Sequence, residues 1–339
     1  MTHSWHSKYD LKLIERRAEI SVPPFSIKTG GIDIMQKALR SLKRYWPLYL
    51  MLLPGTVYLL INNYIPMTGI AVAFKQYNVR DGLYHSPNIG LKNFEFLFKT
   101  SDAWLITRNT VLYNLVFIIL GAVLAISVAI ILNEIRSKRA KQTYQTIILI
   151  PYLISMVVVS CLVFAFLSNG SGFLNHTLLP ALGLEPVSWY SEPKYWPFIL
   201  VLVNTWKMVG YNCILYYATI CGIDHSLYEA AVMDGANRWH QITYITLPCL
   251  KSTIIILTLM NLGNIFRSDF GLFYQIPMNS GALLEVTNTI DTYVYRGLMQ
   301  TNNIGMSSAA GVYQSIVGFV LVFTANMIVR KIDSDSSLF

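Results

Sequence analysis

The 339-residue chain is 54% hydrophobic and 13% charged, about half the charged fraction of a typical soluble domain. Its apolar residues fall in long uncharged blocks, which excludes an ordinary soluble domain and predicts an all-α polytopic membrane protein. The net charge of +8 would suit a nucleic-acid partner, but the cations cluster at the ends of apolar blocks. This distribution favours membrane topology, and no nucleic-acid partner is expected.

Residues 1–44 form a polar tail with nine lysines or arginines against four acids. The tail lacks the apolar run and the cleavage site of a signal peptide. Within it, residues 32–42 are predicted either as a short amphipathic helix on the membrane surface or as part of a solvated tail.

Six apolar segments are predicted to cross the membrane as helices, and together they make one transmembrane domain over residues 45–331. The predicted spans are residues 45–64, 110–132, 146–167, 196–220, 247–270 and 309–329. After the first span, residues 65–69 break the helix, and residues 88–94 predict a turn into a helix on the outer surface. Residues 332–339 form a short polar tail.

Six spans place both termini on one side of the membrane, and the cations identify that side. The N-terminal tail, the loop between the second and third spans and the end of the sixth span all carry excess positive charge. The cations of the last two regions are Arg136, Lys138, Arg139, Lys141, Arg330 and Lys331. By the positive-inside rule both termini are cytoplasmic, and so is the loop between the fourth and fifth spans.

That cytoplasmic loop is predicted to form a helical elbow. Ser226 and Glu229 have capping-box spacing, which predicts a helix over residues 227–234 with Ser226 as its N-cap. Gly235 is a suitable C-terminal stop because it accepts the left-handed conformation. A second short segment then leads to Pro248, which is placed in the first turn of the next helix.

The string Glu229-Ala230-Ala231, three residues, Gly235, nine residues, then Ile245-Thr246-Leu247-Pro248 resembles the coupling loop of ATP-binding-cassette (ABC) importer permeases. The resemblance implies the type I ABC importer arrangement, with a cytoplasmic coupling helix between spans four and five. Residues 223–247 would then form the coupling loop, and many relatives carry a second proline where this chain has Ser252. The residues that this resemblance assigns to ATPase coupling are Ser226, Glu229, Ala230, Ala231, Asp234, Gly235, Ala236 and Arg238.

Other segments resemble the oligosaccharide-importing branch of the same family. Residues 64–75 and 89–94 have this likeness, and residues 291–297 and 307–315 resemble a subgroup that imports plant or bacterial polysaccharide fragments. The resemblance implies a bacterial plasma-membrane complex embedded in the lipid bilayer. Its partners would be a second, different permease, two ATPase subunits that bind ATP and magnesium, an extracellular solute-binding protein and an oligosaccharide substrate.

Catalytic and metal motifs are not visible in the sequence. There is no Walker A string, no His-x-x-x-His or Cys-x-x-Cys pair and no Gly-x-Ser-x-Gly elbow. No catalytic residue, metal site or cofactor is therefore predicted for this chain, and the energy source is expected to be another subunit. A secondary transporter and a membrane-embedded enzyme are the alternatives, and co-purification of an ATPase would separate the importer from both.

Polar residues within the predicted spans are candidates for the substrate path. Asn204, Lys207 and Tyr211 share one side of the fourth span by helical spacing. On the fifth span a polar stripe with Asp269 beside it is formed by Asn261, Asn264, Arg267 and Ser268. Amides and hydroxyls suit sugar recognition, but hydrogen bonding between helices uses the same groups. Arg267 and Asp269 have the further alternative of pairing with each other.

Lys207 is the most informative of these candidates because of its depth. It lies 12 residues after Tyr195, which places it about 18 Å along the fourth span, near mid-membrane. A lysine at that depth is costly and needs a cavity or a partner. The hypothesis is that Lys207 faces the translocation cavity and favours an acidic oligosaccharide. A neutral sugar on the same ammonium and a structural lysine bonded to a neighbouring helix are the alternatives.

Overall fold

The computed structural model describes the backbone of residues 30–332 and nearly all side chains of residues 43–331. The described residues are helical apart from loops and one isolated bridge between Lys75 and Asn88. Residues 1–29 of the predicted N-terminal tail and residues 333–339 of the predicted C-terminal tail lie outside the described residues. The all-α prediction is confirmed.

The first apolar helix, α1 (Gly30–Leu59), belongs to a compact unit of its own that ends at Met67. It continues through a π-helical turn, Leu60–Tyr64, into the short helix Ile65–Met67. A helix therefore does cover residues 32–42, and it runs on into the first span. The two parts are separated by a kink at Tyr45, whose φ of −110° and ψ of 17° are not helical.

The second unit begins at Thr68 and contains the remaining helices. A 3-10 segment, Thr68–Phe74, and short helices at Gly82–His85, Leu179–Ala181 and Leu284–Thr287 connect the longer elements. The longer helices are α2 (Lys92–Lys99), α3 (Asp102–Glu134), α4 (Lys138–Leu153), α5 (Met156–Leu167), α6 (Trp196–Cys221), α7 (His225–Met233), α8 (Arg238–Leu262), α9 (Ile290–Met299) and α10 (Ile304–Ile332).

Within the described residues, five helices are long and apolar enough to cross a membrane, and the count is six if the bent pair α4–α5 is taken as one span. The prediction of six spans agrees with this count when the bent pair is included. The predicted fourth span matches α6 to within one residue.

The predicted third span, residues 146–167, is wrong as a single straight helix. Pro151 lies in the last turn of α4, where its ring and missing N–H disfavour continuation. Ile154 is extended, and the Ser155 hydroxyl caps α5 by accepting from the Val158 amide at 3.4 Å. The two halves meet at 92°.

The predicted fifth span, residues 247–270, is wrong at both ends. Asn237 caps α8 by accepting from the His240 amide, so the helix starts ten residues before Pro248. A π-helical turn at Ile242–Thr246 precedes the proline and lets the helix pass through it. At the other end α8 stops at Leu262, and residues 263–269 are irregular.

The centre of the second unit is the contact between α3 and α6. Ala125 and Ala129 of α3 are fully buried, as is Cys213 of α6. Small side chains allow two membrane helices to approach closely, since apolar lipid offers little hydrophobic drive for association. Nearer the other end of the same pair, Tyr113 packs edge-on against Phe273, with ring centroids 4.9 Å apart. This core positions the polar faces described next.

Candidate coupling segment and membrane cleft

The helix of the elbow, α7, begins at His225, two residues earlier than the predicted capping box requires. Asp224 has the extended backbone of an N-cap, and its side chain accepts from the Ser226 amide at 3.0 Å. That hydrogen bond lowers the pKa of Asp224 below its ordinary value. The predicted cap at Ser226 is therefore wrong, because Ser226 already lies inside the helix. Glu229 is exposed on the surface of α7.

Replacing Asp224 by Ala should loosen the first turn of α7, whereas Ser226→Ala should not. An N-cap side chain satisfies an amide that has no partner within the helix. We expect the amides of residues 226–228 to exchange about fivefold faster in the Asp224→Ala protein. Hydrogen exchange with mass spectrometry on the detergent-solubilised protein measures this. Equal exchange in both variants would contradict the assignment of the cap.

The predicted C-terminal stop at Gly235 is confirmed. Its φ is +80°, in the left-handed region that glycine adopts without a Cβ penalty. The Gly235 amide donates to the Val232 carbonyl at 3.0 Å, and the Ala236 amide donates to the Ala231 carbonyl at 2.9 Å. This pair of bonds is the Schellman motif, so the reversal of the chain after α7 is built into the backbone.

Three side-chain contacts fix the elbow to the spans, and the sequence pattern did not reveal them. The Tyr228 hydroxyl lies 2.9 Å from the Thr246 hydroxyl, which joins α7 to the start of the fifth span. The buried Gln241 amide donates to the Ala236 carbonyl at 3.2 Å. Arg238 pairs with Glu134 at the end of α3, at 3.5 Å. The Tyr228–Thr246 and Glu134–Arg238 pairs are 18 and 104 residues apart in the chain, so no local spacing pattern predicts them.

The outer face of the elbow is apolar and open. Val232, Met233, Trp239 and Tyr244 are exposed, with 87% of Met233 accessible. Beside them a concavity of about 350 Å³ opens around Gly235. Its lining residues are Ala231, Asp234, Gly235, Ala236, His240, Tyr244 and Ile245. We call these lining residues, together with the exposed Val232, Met233 and Trp239, the coupling surface. An exposed apolar patch next to a concavity is typical of a protein-binding surface.

A polar cleft lies between α3, α6 and the end of α8. It has a volume of about 210 Å³. Its polar lining residues are Asn114, Asn204, Thr205, Asn212, Asn261, Asn264, Arg267 and Asp269. A second cavity of about 160 Å³ shares Phe117, Ile118, Asn212 and Asn261 with the first and extends it toward Tyr211.

Five of the seven predicted substrate-path residues therefore line the first cavity, and Tyr211 lines the second. The prediction missed Asn114 and Asn212, although each is an amide within an uncharged predicted span and was visible as such. The predicted helical stripe on the fifth span is wrong in form. Asn264, Arg267 and Asp269 lie beyond the end of α8 and reach the cleft from irregular backbone.

Arg267 and Asp269 do not pair with each other in the structure. The ion pairs among the described side chains are Glu95–Lys99 and Glu134–Arg238. Asp269 instead accepts from the Leu272 amide at 3.0 Å. The cleft therefore presents one cation and one carboxylate among neutral amides, an arrangement suited to hydrogen bonding with hydroxyl groups.

Lys207 lines neither cavity. It is 8% exposed, and its ammonium donates to the carbonyl oxygens of Pro151 at 3.3 Å, Tyr152 at 3.0 Å and Ile154. The carbonyls of Pro151 and Tyr152 lie in the last turn of α4, where the regular helical partners end, and the Pro151 carbonyl also accepts from the Ile154 amide at 3.3 Å. The geometry contradicts the hypothesis that Lys207 faces the cavity and supports the structural alternative. Tyr211, one turn further along α6, stacks on Tyr152 with ring centroids 4.6 Å apart.

Comparison with known proteins gives matches over most of the chain. Residues 118–334 match the family described as "Binding-protein-dependent transport system inner membrane component". Protein LplB of Bacillus subtilis is 33% identical over 309 residues, which cover 91% of this chain and 96% of that protein. The polygalacturonan/rhamnogalacturonan transport system permease protein YteP of Bacillus subtilis is 35% identical, over 84% of this chain and 88% of that protein.

A solved structure resembles most of this chain. It is a bacterial ABC transporter involved in the import of the acidic polysaccharide alginate. The matched chain is 35% identical and superposes with a TM-score of 0.80, covering 88% of this chain and 99% of that one. A second structure shows the bacterial alginate ABC transporter in complex with an alginate pentasaccharide-bound periplasmic protein, with a TM-score of 0.78 and 35% identity.

Proposed function

Because the chain belongs to the binding-protein-dependent transport system inner membrane component family, we propose that it is the permease subunit of an ATP-driven importer of oligosaccharides or polysaccharide fragments. The likeness to the alginate transporter carries this proposal, since it extends over 88% of the chain with a TM-score of 0.80. The names of the relatives in Bacillus subtilis and of the alginate transporter support a carbohydrate substrate.

The proposed energy source is a pair of partner ATPase subunits that bind ATP and magnesium. The coupling surface is the proposed docking site, because it combines an open concavity with exposed Met233 and Tyr244. The Tyr228–Thr246 hydrogen bond joins α7 to α8. Movement of an ATPase against α7 would therefore be transmitted to the fifth span, whose far end carries cleft residues.

The proposed orientation places both termini and the coupling surface in the cytoplasm. Lys138, Arg139 and Lys141 lie at the start of α4, on the same side of the membrane as α7 by the count of spans. Arg330 and Lys331 end α10 on that side too. The positive-inside rule then makes this side cytoplasmic. An extracellular solute-binding protein and a second permease subunit complete the proposed complex.

The polar cleft is the proposed substrate path. Amide side chains donate and accept together, so a row of them can exchange hydrogen bonds with successive sugar hydroxyls. Because one cation, Arg267, stands near one carboxylate, Asp269, the cleft has no net charge. The proposal therefore stops at oligosaccharides and assigns no sign of charge to them.

Reconstitution tests the proposal. The chain, its neighbouring second permease, the ATPase and the binding protein would be co-expressed, and ATP-dependent uptake of labelled oligosaccharides would be measured in proteoliposomes. Co-purification of the ATPase and uptake that stops without ATP are expected. Uptake that proceeds on an ion gradient without an ATPase would support a secondary transporter instead.

Asn212→Ala should slow uptake by about two- to tenfold, because Asn212 lines both cavities and one lost hydrogen bond is worth about 0.5–1.5 kcal/mol. Ser127→Ala is the matched control. Ser127 lies in α3, bonds only the Val123 carbonyl of its own helix and is absent from the cleft lining. Similar uptake by both variants would remove Asn212 from the path.

A further inference from the structure

The irregular segment 263–269, called here the cleft segment, is held by side chains from other elements. Asn114 of α3 donates to the carbonyl oxygens of Ile265 and Arg267, each at 2.9 Å. Gln314 of α10 donates to the Phe266 carbonyl. Backbone groups that leave a helix within a membrane need such partners, since lipid provides none. The path of this segment is therefore set by its surroundings.

Asp291 of α9 makes two hydrogen bonds to the cleft segment, both to Ser268. One carboxylate oxygen accepts from the Ser268 amide at 2.6 Å and from the Ser268 hydroxyl at 2.9 Å. The Gln314 amide nitrogen lies 3.2 Å from both carboxylate oxygens. Ser268 lies between Arg267 and Asp269 in the chain. Asp291 therefore binds the backbone at the residue that separates the two charged groups of the cleft.

Neutral donors surround this carboxylate. The ion pairs among the described side chains do not include Asp291, and Asp291 lines neither cavity. Hydrogen bonds to an ionised acceptor are shorter and about twice as strong as neutral ones. Three donors converge on two oxygens, and an asparagine in the same place would turn an NH₂ group toward one of them.

The packing around Asp291 also explains two segments that the sequence singled out, residues 291–297 and 307–315. Gly297 and Ser307 are both buried, and a Cβ on Gly297 would overlap the Ser307 hydroxyl. The missing side chain lets α9 lie close against α10. This approach brings Asp291 within reach of Gln314 and of the cleft segment.

We propose that Asp291 is a positioning residue for the cleft. It holds the backbone at Ser268 so that Arg267 and Asp269 face the transported oligosaccharide. The inference rests on the proposed function, since it takes the cleft as the substrate path. An acid that does not line the cleft, Asp291, would thus fix the positions of the two charged side chains that do.

The test is Asp291→Asn in the assembled complex, with uptake measured at saturating loaded binding protein and normalised to the amount of complex. We expect maximal uptake to fall about tenfold, since the charge-assisted bonds to Ser268 and Gln314 are weakened. Ser268→Ala keeps the backbone amide bond to Asp291, and it should lower uptake about threefold or less.

Non-additivity separates positioning from a general structural role. In an Arg267→Ala, Asp269→Ala background, Asp291→Asn should lower uptake less than about twofold further, because its effect passes through the two missing side chains. A full tenfold loss in that background would overturn the inference, as would normal uptake by Asp291→Asn alone.

A separate measurement covers failure of the proposed function itself. If the Arg267→Ala, Asp269→Ala complex transports normally, the cleft is not the path. The position of the segment is then read from Arg267→Cys, whose modification by a hydrophilic thiol reagent is followed by peptide mass, with and without the Asp291→Asn substitution. A change in rate of about tenfold supports the positioning role of Asp291, and equal rates overturn it.

Discussion

Replacing Gly235 by Asp should abolish ATP-dependent uptake while the protein still inserts and folds. Gly235 has φ of +80°, and a Cβ built on it meets no atom of this chain within 4 Å. The new side chain therefore does not clash inside the protein, and aspartate is among the residues that tolerate left-handed backbone. On the proposed function, the added carboxylate instead enters the concavity of the coupling surface, where a partner backbone would approach.

The matched control is Gly183→Asp. Gly183 has φ of +70°, also has open space around its Cβ position and also follows a short helix, Leu179–Ala181. Gly183 precedes α6 in the chain, whereas Gly235 follows it. The control therefore introduces the same local backbone strain away from the coupling surface. We expect ATPase pull-down and uptake to fall at least about a hundredfold for Gly235→Asp and less than about threefold for Gly183→Asp. Normal ATPase binding and uptake by Gly235→Asp would show that the coupling surface lies elsewhere.

The number and type of the spans could be predicted because the cause lies in composition. An uncharged run of about 20 residues in a membrane has little alternative to a helix, since every backbone group must find an internal partner. The stop at Gly235 was predictable for a similar reason, because the left-handed conformation favours one residue type. Each of these features depends on a few neighbouring residues.

The bend at Ile154 and the early end of α8 were not predictable in that way. Both helix ends lie within uncharged runs, and hydropathy marks neither end, although the irregular segment after α8 does carry Arg267 and Asp269. What makes irregular backbone stable there is distant in sequence. Lys207 satisfies the carbonyls at the bend, and Asn114, Gln314 and Asp291 satisfy the segment after α8. A polar residue in an apolar span indicates that such a partner exists, but the sequence does not show which residue it is.

The cleft shows what the sequence could predict and what it could not. Asn204 and Asn261 were identified because amides within apolar helices are few and face either a neighbour or a cavity. The same argument placed Lys207 with them, since residues three apart on a helix differ by only about 60°. That difference is enough to direct Asn204 toward the cleft and Lys207 toward the bend between α4 and α5.

Lys207→Met is accordingly expected to impair assembly, and transport of acidic and neutral oligosaccharides should fall together. Methionine keeps the length of the side chain and loses all three donors. The carbonyls of Tyr152 and Ile154 then lose the ammonium donor at membrane depth, and the Pro151 carbonyl keeps only the Ile154 amide. Each unsatisfied buried group costs about 1–3 kcal/mol, so the yield of assembled complex should fall at least about tenfold.

Two further variants separate the effect of disturbing the bend between α4 and α5 from the effect of removing a positive charge. Gly210→Ala leaves Lys207 in place, but its Cβ would overlap the backbone carbonyl of Ile148, so α6 must move away from α4. It should reproduce the assembly defect of Lys207→Met. Lys194→Met removes an exposed lysine that lies over the Tyr195 ring just before α6, and it should assemble normally. Normal assembly of Lys207→Met with uptake lost only for acidic fragments would instead return Lys207 to the substrate path, because a residue that merely braces the bend has no means of distinguishing the charge of the sugar.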